Sequence, residues 1–476
     1  MRNRHHATLH ALTLAVAAVL GGGVRAQTQP NIEELGRTSP EGLTAEQVGA
    51  RARDTSFDAQ AAIENFREAA ARVDEAWAQF LPRLTGTGRY SRLSTLTPFA
   101  ISGSIVATPA PAGTQNPTPT VAENLAFPPV LDNYLLQASF TLPISDYFLR
   151  IAKNYSAASR SAEASRHDLA AARAKAYSDG KVVYYSWMRA RAAVVVALQS
   201  LADQRNHLSD ARNQFEAGNA NRADVLRAQT NVANAELQLE KARDLSDLSE
   251  EQVRIALHVG EEQRLVPGEP LEGPVPPLPP DVRLLTREAL NERPELKSLD
   301  ASILALEKQV AVARAGYFPV LSGFGDYVYA NPNERRFPPT SDWTATWDLG
   351  VRLTWSPNDV VVASATAREA LARAASVRAQ KGKLRDGIEL EVTQAWLNAR
   401  QADQAIITSQ QELDSASEAY RVARDLFING RATSTTLTDA ETELTRSRLD
   451  LLNARADARI ARVNLDHAMG RDAHAQ

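Results

Sequence analysis

Residues 342–355, DWTATWDLGVRLTW, alternate between apolar and polar without a lapse. Trp343, Ala345, Trp347, Leu349, Val351, Leu353 and Trp355 fall on one side of the run. Asp342, Thr344, Thr346, Asp348, Gly350, Arg352 and Thr354 fall on the other. Period-two alternation makes a strand with one dry and one wet face. The run from Trp343 to Trp355 spans about 40 Å of strand and, tilted by about 40°, projects to roughly 30 Å, near the ~25 Å apolar band of a membrane barrel. One such strand suits a half-buried soluble sheet as well as a membrane wall.

The pattern recurs. DNYLLQASFTLPI (132–144) alternates with Leu135 as its one lapse, placing Tyr134, Leu136, Ala138, Phe140 and Leu142 together. Each of these two runs follows another strand candidate, at about 84–95 and 320–330. The connection in the first pair holds SGSIVATPAPAGTQNPTPT (102–120), read as a long loop, and that in the second holds NPNERRFPP (331–339).

The pairs belong to a duplicated plan. AWAQFLPRLTGTGRYS (76–91) matches ARAGYFPVLSGFGDYV (313–328), VYYSWMRAR (183–191) matches VTQAWLNAR (392–400), and IALHVG (255–260) matches LDHAMG (465–470). QFEAGNANRADVLRAQ (214–229) matches LFINGRATSTTLTDAE (426–441), aligning Gly218 with Gly430. The seam is VPGEPLEGPVPPLPPD (266–281), whose proline density forbids helix and favours an extended strap. The plan therefore runs as a first repeat over 27–265, a connector over 266–281, a second repeat over 282–470 and a tail over 471–476.

Between strands and seam the rhythm turns helical. Small or apolar side chains at 388, 392, 395, 399, 402, 406, 413, 416, 420, 423 and 427 step by three, four and seven, a coiled-coil spacing. The proline-free stretch 146–215 does the same. Long helices are expected over about 146–215 and 360–428, each a rod of roughly 105 Å. Shorter helices of about 40 residues are expected over 43–80 and 219–259 and, more loosely, over 282–318 and 431–469, those over 219–259 and 431–469 being the return helices. Gly218 and Gly430 stand where a long helix must reverse, and glycine suits the left-handed cap of such a turn.

Composition narrows the class. Residues 1–26 read as an export signal, with Arg2 and Arg4 before the apolar stretch ALTLAVAAVL (11–20) and a small-x-small site at 24–26. Removing them takes the formal charge from −4 to −7, which argues against a nucleic-acid partner. The 476 residues hold no cysteine, which excludes disulfides, thiolate metal sites and a thioether lipid on any of them. No HExxH, G-x-S-x-G or phosphate-cradling glycine loop occurs, and the histidines outside the signal (167, 207, 258, 467, 474) stand singly. No enzymatic activity, cofactor or metal is expected. Beyond the signal no apolar run is long enough for a spanning helix, so entry into a membrane requires strands. Four strands cannot close, and an open edge in lipid leaves amide groups unpaired at several kcal/mol each. Three chains pool twelve strands.

On these residues the chain resembles the TolC-like outer-membrane efflux proteins over essentially all of its mature length. The resemblance rests on the duplicated plan, the aromatic-proline step into each strand pair, and the two glycine-centred tip motifs. It implies a mainly α chain with membrane β: a homotrimer forming a twelve-stranded barrel in a Gram-negative outer membrane, four strands per chain. A long α-helical barrel continues it into the periplasm. It implies a passive channel for tripartite efflux or type I secretion, with a periplasmic adaptor and an inner-membrane transporter as partners.

Trp343, Trp347, Trp355, Tyr134 and Phe140 would then face lipid, while Arg352, Asp348 and the threonines line the water-filled interior. The turns at Gly218 and Gly430 would meet the adaptor. The family's second tip motif carries aspartates six and nine places after its glycine. Here those places hold Thr436 and Asp439, so one of two acidic rings is kept at the gate. Asp224 sits where the family keeps an acid that ties helices shut, but the usual basic place holds Ala432, leaving Arg431 or Arg222 as the substitute. The rival reading from the residues is a periplasmic coiled-coil adaptor or scaffold, which explains the heptads and export but not the strand pairs.

Overall fold

The computed structural model describes Ser39 and residues 41–474, apart from 96–98, 102–103, 108–118, 123–124, 128–129, 261, 264 and 338. The export signal lies outside the described residues. In chain order the principal elements are α1 (Ala45–Thr55), α2 (Phe57–Ala78), β1 (Arg83–Arg92), four short strands β2–β5, β6 (Asp132–Leu142), α3 (Ala152–Glu216) and α4 (Arg222–Leu257). There follow α5 (Val282–Glu292), α6 (Pro294–Arg314), β7 (Val320–Asn331), β8 (Thr344–Thr354), α7 (Pro357–Ile428) and α8 (Ser434–Met469).

α3 and α7, at 65 and 72 residues, extend about 98 and 108 Å. Each packs along its own return helix toward one end and along shorter helices toward the other: α3 with α4, then α1, α2 and α6, and α7 with α8, then α5 and α6. The buried face of α7 includes Ile388, Val392, Ala395, Ala399, Ala402, Ala416, Ala423 and Phe427, the heptad positions of its sequence. Alanine dominates this seam and lets backbones approach closely without long side chains to order.

The stretches 43–80 and 282–318 each form two helices where one was expected. Ser56 ends α1 and caps α2, its hydroxyl accepting from the Asp58 amide at 3.2 Å. Arg293 is extended at φ −57, ψ 119 because Pro294 follows it, and Pro294 opens α6 in its first turn.

β1, β6, β7 and β8 form one antiparallel sheet in the order β1-β6-β7-β8. The two repeats meet at its centre, where β6 pairs with β7, and β1 and β8 are left as edges. The connection expected as a loop over 102–120 carries ladder structure. Phe99–Ile101 pairs with Leu125–Phe127, and Ser104–Ala107 with Pro119–Ala122. The hairpin's backbone pairing thus continues past β1 and β6, with Pro119 at a strand end where a missing N–H is tolerated.

The seam lies as a strap across the helices. Arg459 of α8 donates to the carbonyls of Leu271, Pro270 and Gly273 at 3.0–3.2 Å, and Arg462 to that of Pro276 at 3.0 Å. The indole of Trp396 donates to Pro279 at 2.9 Å. Its counterpart in the repeat, Trp187, is fully buried in a different cluster with Tyr184, Val253 and Leu265.

Candidate functional site

The two helix reversals are near copies. Gly218 and Gly430 have φ of +79° and +68°, the left-handed region that a Cβ disfavours. In each turn two successive amides return to one carbonyl. Those of Asn219 and Ala220 reach Gln214, and those of Arg431 and Ala432 reach Leu426. The following helices are capped in sequence: Asn221 and Asp224 form a reciprocal capping box on α4, and Thr433 accepts from the Thr436 amide on α8.

This accounts for two of the expected gate residues locally. Asp224 accepts from the Asn221 amide at 3.3 Å and lies 3.7 Å from Arg227, one turn on. Among the described residues it makes no hydrogen bond or ion pair to a neighbouring helix. Thr436 exchanges a hydroxyl bond with Thr433 at 3.0 Å. Asp439 and Arg431 are both exposed and have no ion-pair partner among the described residues. The cross-links between the hairpins are others. Arg424 of α7 reaches Asp210 of α3 at 3.3 Å, Arg448 of α8 reaches Asp203 at 2.8 Å, and Arg227 of α4 donates to Thr435 at 2.9 Å.

Sequence inspection set His207 aside as a single histidine. The fold gives it two partners from more than 220 residues away. Nδ1 lies 2.9 Å from Glu441 and Nε2 lies 3.2 Å from the hydroxyl of Ser434. An acid, an imidazole and a serine in that order mimic a nucleophilic triad. Side-chain exposures of 0% for His207 and 1% for Glu441 leave no room for a substrate, so the group acts as packing and polarity inside the tip. No sequence motif signals it, since the partners lie on helices of different repeats. His467 and His258 also gain partners, Asp472 at 2.5 Å and Thr55 at 3.1 Å.

The sheet presents the second part of the site. Register places Gly86, Ala138, Tyr327 and Trp347 in one row across the four strands, and Thr85, Ser139, Asp326 and Asp348 in the next. The first row belongs to an apolar face and the second to a polar one. On the apolar face Leu84, Trp347 and Leu349 are each more than 70% exposed, far beyond what a water-facing wall of a monomer carries. Phe140 is on this face and Trp355 flanks its lower end, both exposed. At the other end Trp343 packs against Tyr329 and Tyr134 (centroids 4.9 and 5.8 Å), and Tyr134 against Tyr90. One rim thus carries an aromatic cluster and the other a single exposed tryptophan. On the polar face Asp326 accepts from Ser139 and from Gln137, and Asp348 pairs with Arg335 of the β7–β8 connection at 2.6 Å.

A sheet with a lipid-type face, a wet face and open edges, set on helical rods about 100 Å long, defines the class: a membrane channel that gains its wall by pooling chains. Comparison with known proteins then identifies the family. Residues 48–257 and 285–471 match the model of the outer membrane efflux proteins, one segment per repeat, and the chain belongs to that family. It is 23% identical over 418 residues to the probable outer membrane lipoprotein SilC of Salmonella typhimurium, covering 85% of this chain and 82% of that one. Among solved structures it superposes on CusC with a TM-score of 0.73 at 18% identity, covering 90% and 92% of the two chains. It superposes on the open state of the Neisseria gonorrhoeae MtrE outer membrane channel with a TM-score of 0.71 at 16% identity, covering 90% and 88%. The protein is an outer-membrane channel component of mainly α fold with four membrane strands per chain, not an enzyme.

Proposed function

We propose that three copies of this chain close a twelve-stranded barrel and a helical tube, forming a passive conduit across the outer membrane. It takes its cargo from a periplasmic adaptor and an inner-membrane transporter, in tripartite efflux or in type I secretion. The observation that carries this reading is the sheet: its apolar face is exposed along β8, and β1 and β8 offer free edges of matching antiparallel sense. A head-to-tail ring pairs β8 of one chain with β1 of the next and leaves no edge in lipid. The adaptor reading has no use for such a wall.

The tip motifs form the narrow end and meet the adaptor, with Gly218 and Gly430 shaping its turns. Asp439, exposed six residues past the cap of α8, supplies one carboxylate per chain, so three surround the constriction and attract cations. Arg431 is placed in the turn before it, free to pair with an acid of a neighbouring chain.

Sizing of detergent-extracted protein tests the assembly, with a trimer expected and a soluble monomer excluding it. In planar bilayers, Asp439→Asn is expected to weaken block by divalent cations added on the tip side. An unchanged block removes Asp439 from the gate.

A further inference from the structure

The conduit as described makes no use of the β7–β8 connection. It lies at the end of the sheet away from the helices, since α6 leads into β7 and α7 follows β8. The other hairpin carries its pairing on past β1 and β6, through Phe99–Ile101 with Leu125–Phe127 and Ser104–Ala107 with Pro119–Ala122. The β7–β8 connection instead doubles back onto the polar face of the sheet.

Asn333 anchors it. The Arg335 amide donates to Oδ1 of Asn333 and the Arg336 amide to its carbonyl, both at 3.0 Å, an asparagine-centred tight turn. The side-chain amide of Asn333 donates to the Thr344 carbonyl at 3.1 Å and to the Thr346 hydroxyl at 3.2 Å. The residue is 3% exposed. Asn331 donates to the Ser341 carbonyl at 2.8 Å and so draws the two ends of the connection together.

From this turn Arg335 reaches down β8 to Asp348, 2.6 Å away. Thr344, Thr346 and Asp348 are successive places on the polar face, so the guanidinium ends about 13 Å along the strand from Thr344. Glu334, Arg335 and Arg336 are exposed. They stand out from the wall into the space that the polar face bounds.

We propose that this connection is a size filter fixed inside the outer end of the barrel, three copies of which set the largest rigid solute that passes. The proposal rests on the conduit reading and adds its outer selectivity. Barrel width grows with strand number. About eight strands are filled by their own side chains, and sixteen or more leave an aqueous channel. Twelve lie between, so a turn of backbone laid on the inner wall by each chain takes up a substantial part of the bore. A connection projecting outward would take up none.

Asn333 and Arg335 are the positioning residues. A turn swung outward strips the Asn333 amide of both acceptors after it has been buried, which makes it the stronger anchor. The pair of Arg335 with Asp348 is half-exposed and adds less. It sets how far the turn lies along the wall.

Two measurements test the filter. In planar bilayers, uncharged polyethylene glycols of graded size added on the barrel side read the width of that mouth independently of the tip. Asn333→Ala combined with Arg335→Ala is expected to shift the cut-off on that side to larger polymers and to leave the tip-side cut-off in place. Arg335→Ala alone, outside the strands, is expected to shift it the same way by less. Because the chain lacks cysteine, spin labels can also be set at Glu334→Cys in the turn or at Thr85→Cys on the polar face of β1. The three labels at 334 of a trimer are expected to lie closer together than the three at 85. Distances at 334 equal to or longer than those at 85 overturn the filter. So does an unchanged cut-off in the double variant, in trimers of normal size. Failure of the wild type to form any channel overturns the conduit reading itself.

Discussion

Arg424 and Asp210 join α7 to α3 about two turns above the paired reversals, their guanidinium and carboxylate 3.3 Å apart. The contact is partly exposed, so each copy contributes about 1 kcal/mol or less, and the trimer proposed above would repeat it three times. Arg424→Ala is expected to lengthen visits to high-conductance levels in planar bilayers, and Asp210→Asn to do the same. The double variant is expected to match either single one, the signature of one shared interaction. Additive effects would mean that the two side chains act separately.

The wall makes a sharper demand. Trp347 stands on the apolar face and Thr346 beside it on the polar face. Trp347→Lys puts a charge into lipid at about 2–4 kcal/mol near the bilayer midplane, whereas Thr346→Lys puts one into water. Membrane fractions are expected to lose trimer with the first and retain it with the second. Equal assembly would show that the face does not meet lipid.

Two glycines test the reversal. Around both Gly430 and Gly387 a Cβ meets open space, so packing cancels and backbone alone decides. Gly430→Ala, at φ +68°, is expected to cost roughly 1–2 kcal/mol and to lower the melting temperature or broaden gating. Gly387→Ala, within helix α7, is expected to stabilise by about 0.5–1 kcal/mol. The same substitution thus acts with opposite sign.

At the other end of α8, burial pushes the His467 imidazole down but the bond and charge of Asp472 outweigh it, so its value is raised. A raised value means stability present below the ordinary imidazole value of about 6.5 and lost as pH rises through the folded one. Thermal stability is expected to fall across that interval, and His467→Gln to flatten the curve. A fall of equal size in the variant would assign the effect elsewhere.

The strap offers a last check. Arg459→Ala removes three bonds to strap carbonyls and a guanidinium packed on Tyr185. A loss of about 1–3 kcal/mol is expected, with protease cleavage appearing within residues 266–281.

Much of the architecture is legible from periodicity because burial enforces it. The lapse-free alternation around Trp347 is one face of the fourth strand, and the heptad positions from Ile388 to Phe427 are the seam of α7. Local interruptions were less legible. Ser56 and Pro294 each divide a helix that periodicity alone carries through, since one cap or one missing amide outweighs the pattern on either side. The threonine- and proline-rich connection after β1 reads as loop by composition, yet Ser104–Ala107 within it pairs with Pro119–Ala122.

The candidate site divides along the same line. Gly218 and Gly430 are visible as glycines in matched strings, because their left-handed backbone is a local need. Asp224 and Thr436, which the family resemblance sets at the gate, also take part in caps within three residues of themselves. His207, Glu441, Asp210 and Arg424 carry no local signature.

The sequence by itself determined which faces are dry, where the long rods reverse and that the plan is duplicated, because each follows from side-chain order over a few turns or strands. Only the tertiary structure decided that β6 and β7 meet at the centre of the sheet, that α3 lies against α8, and that a histidine and a glutamate 234 residues apart share a dry site. Those are choices of partner, and partners are chosen by close packing between distant segments.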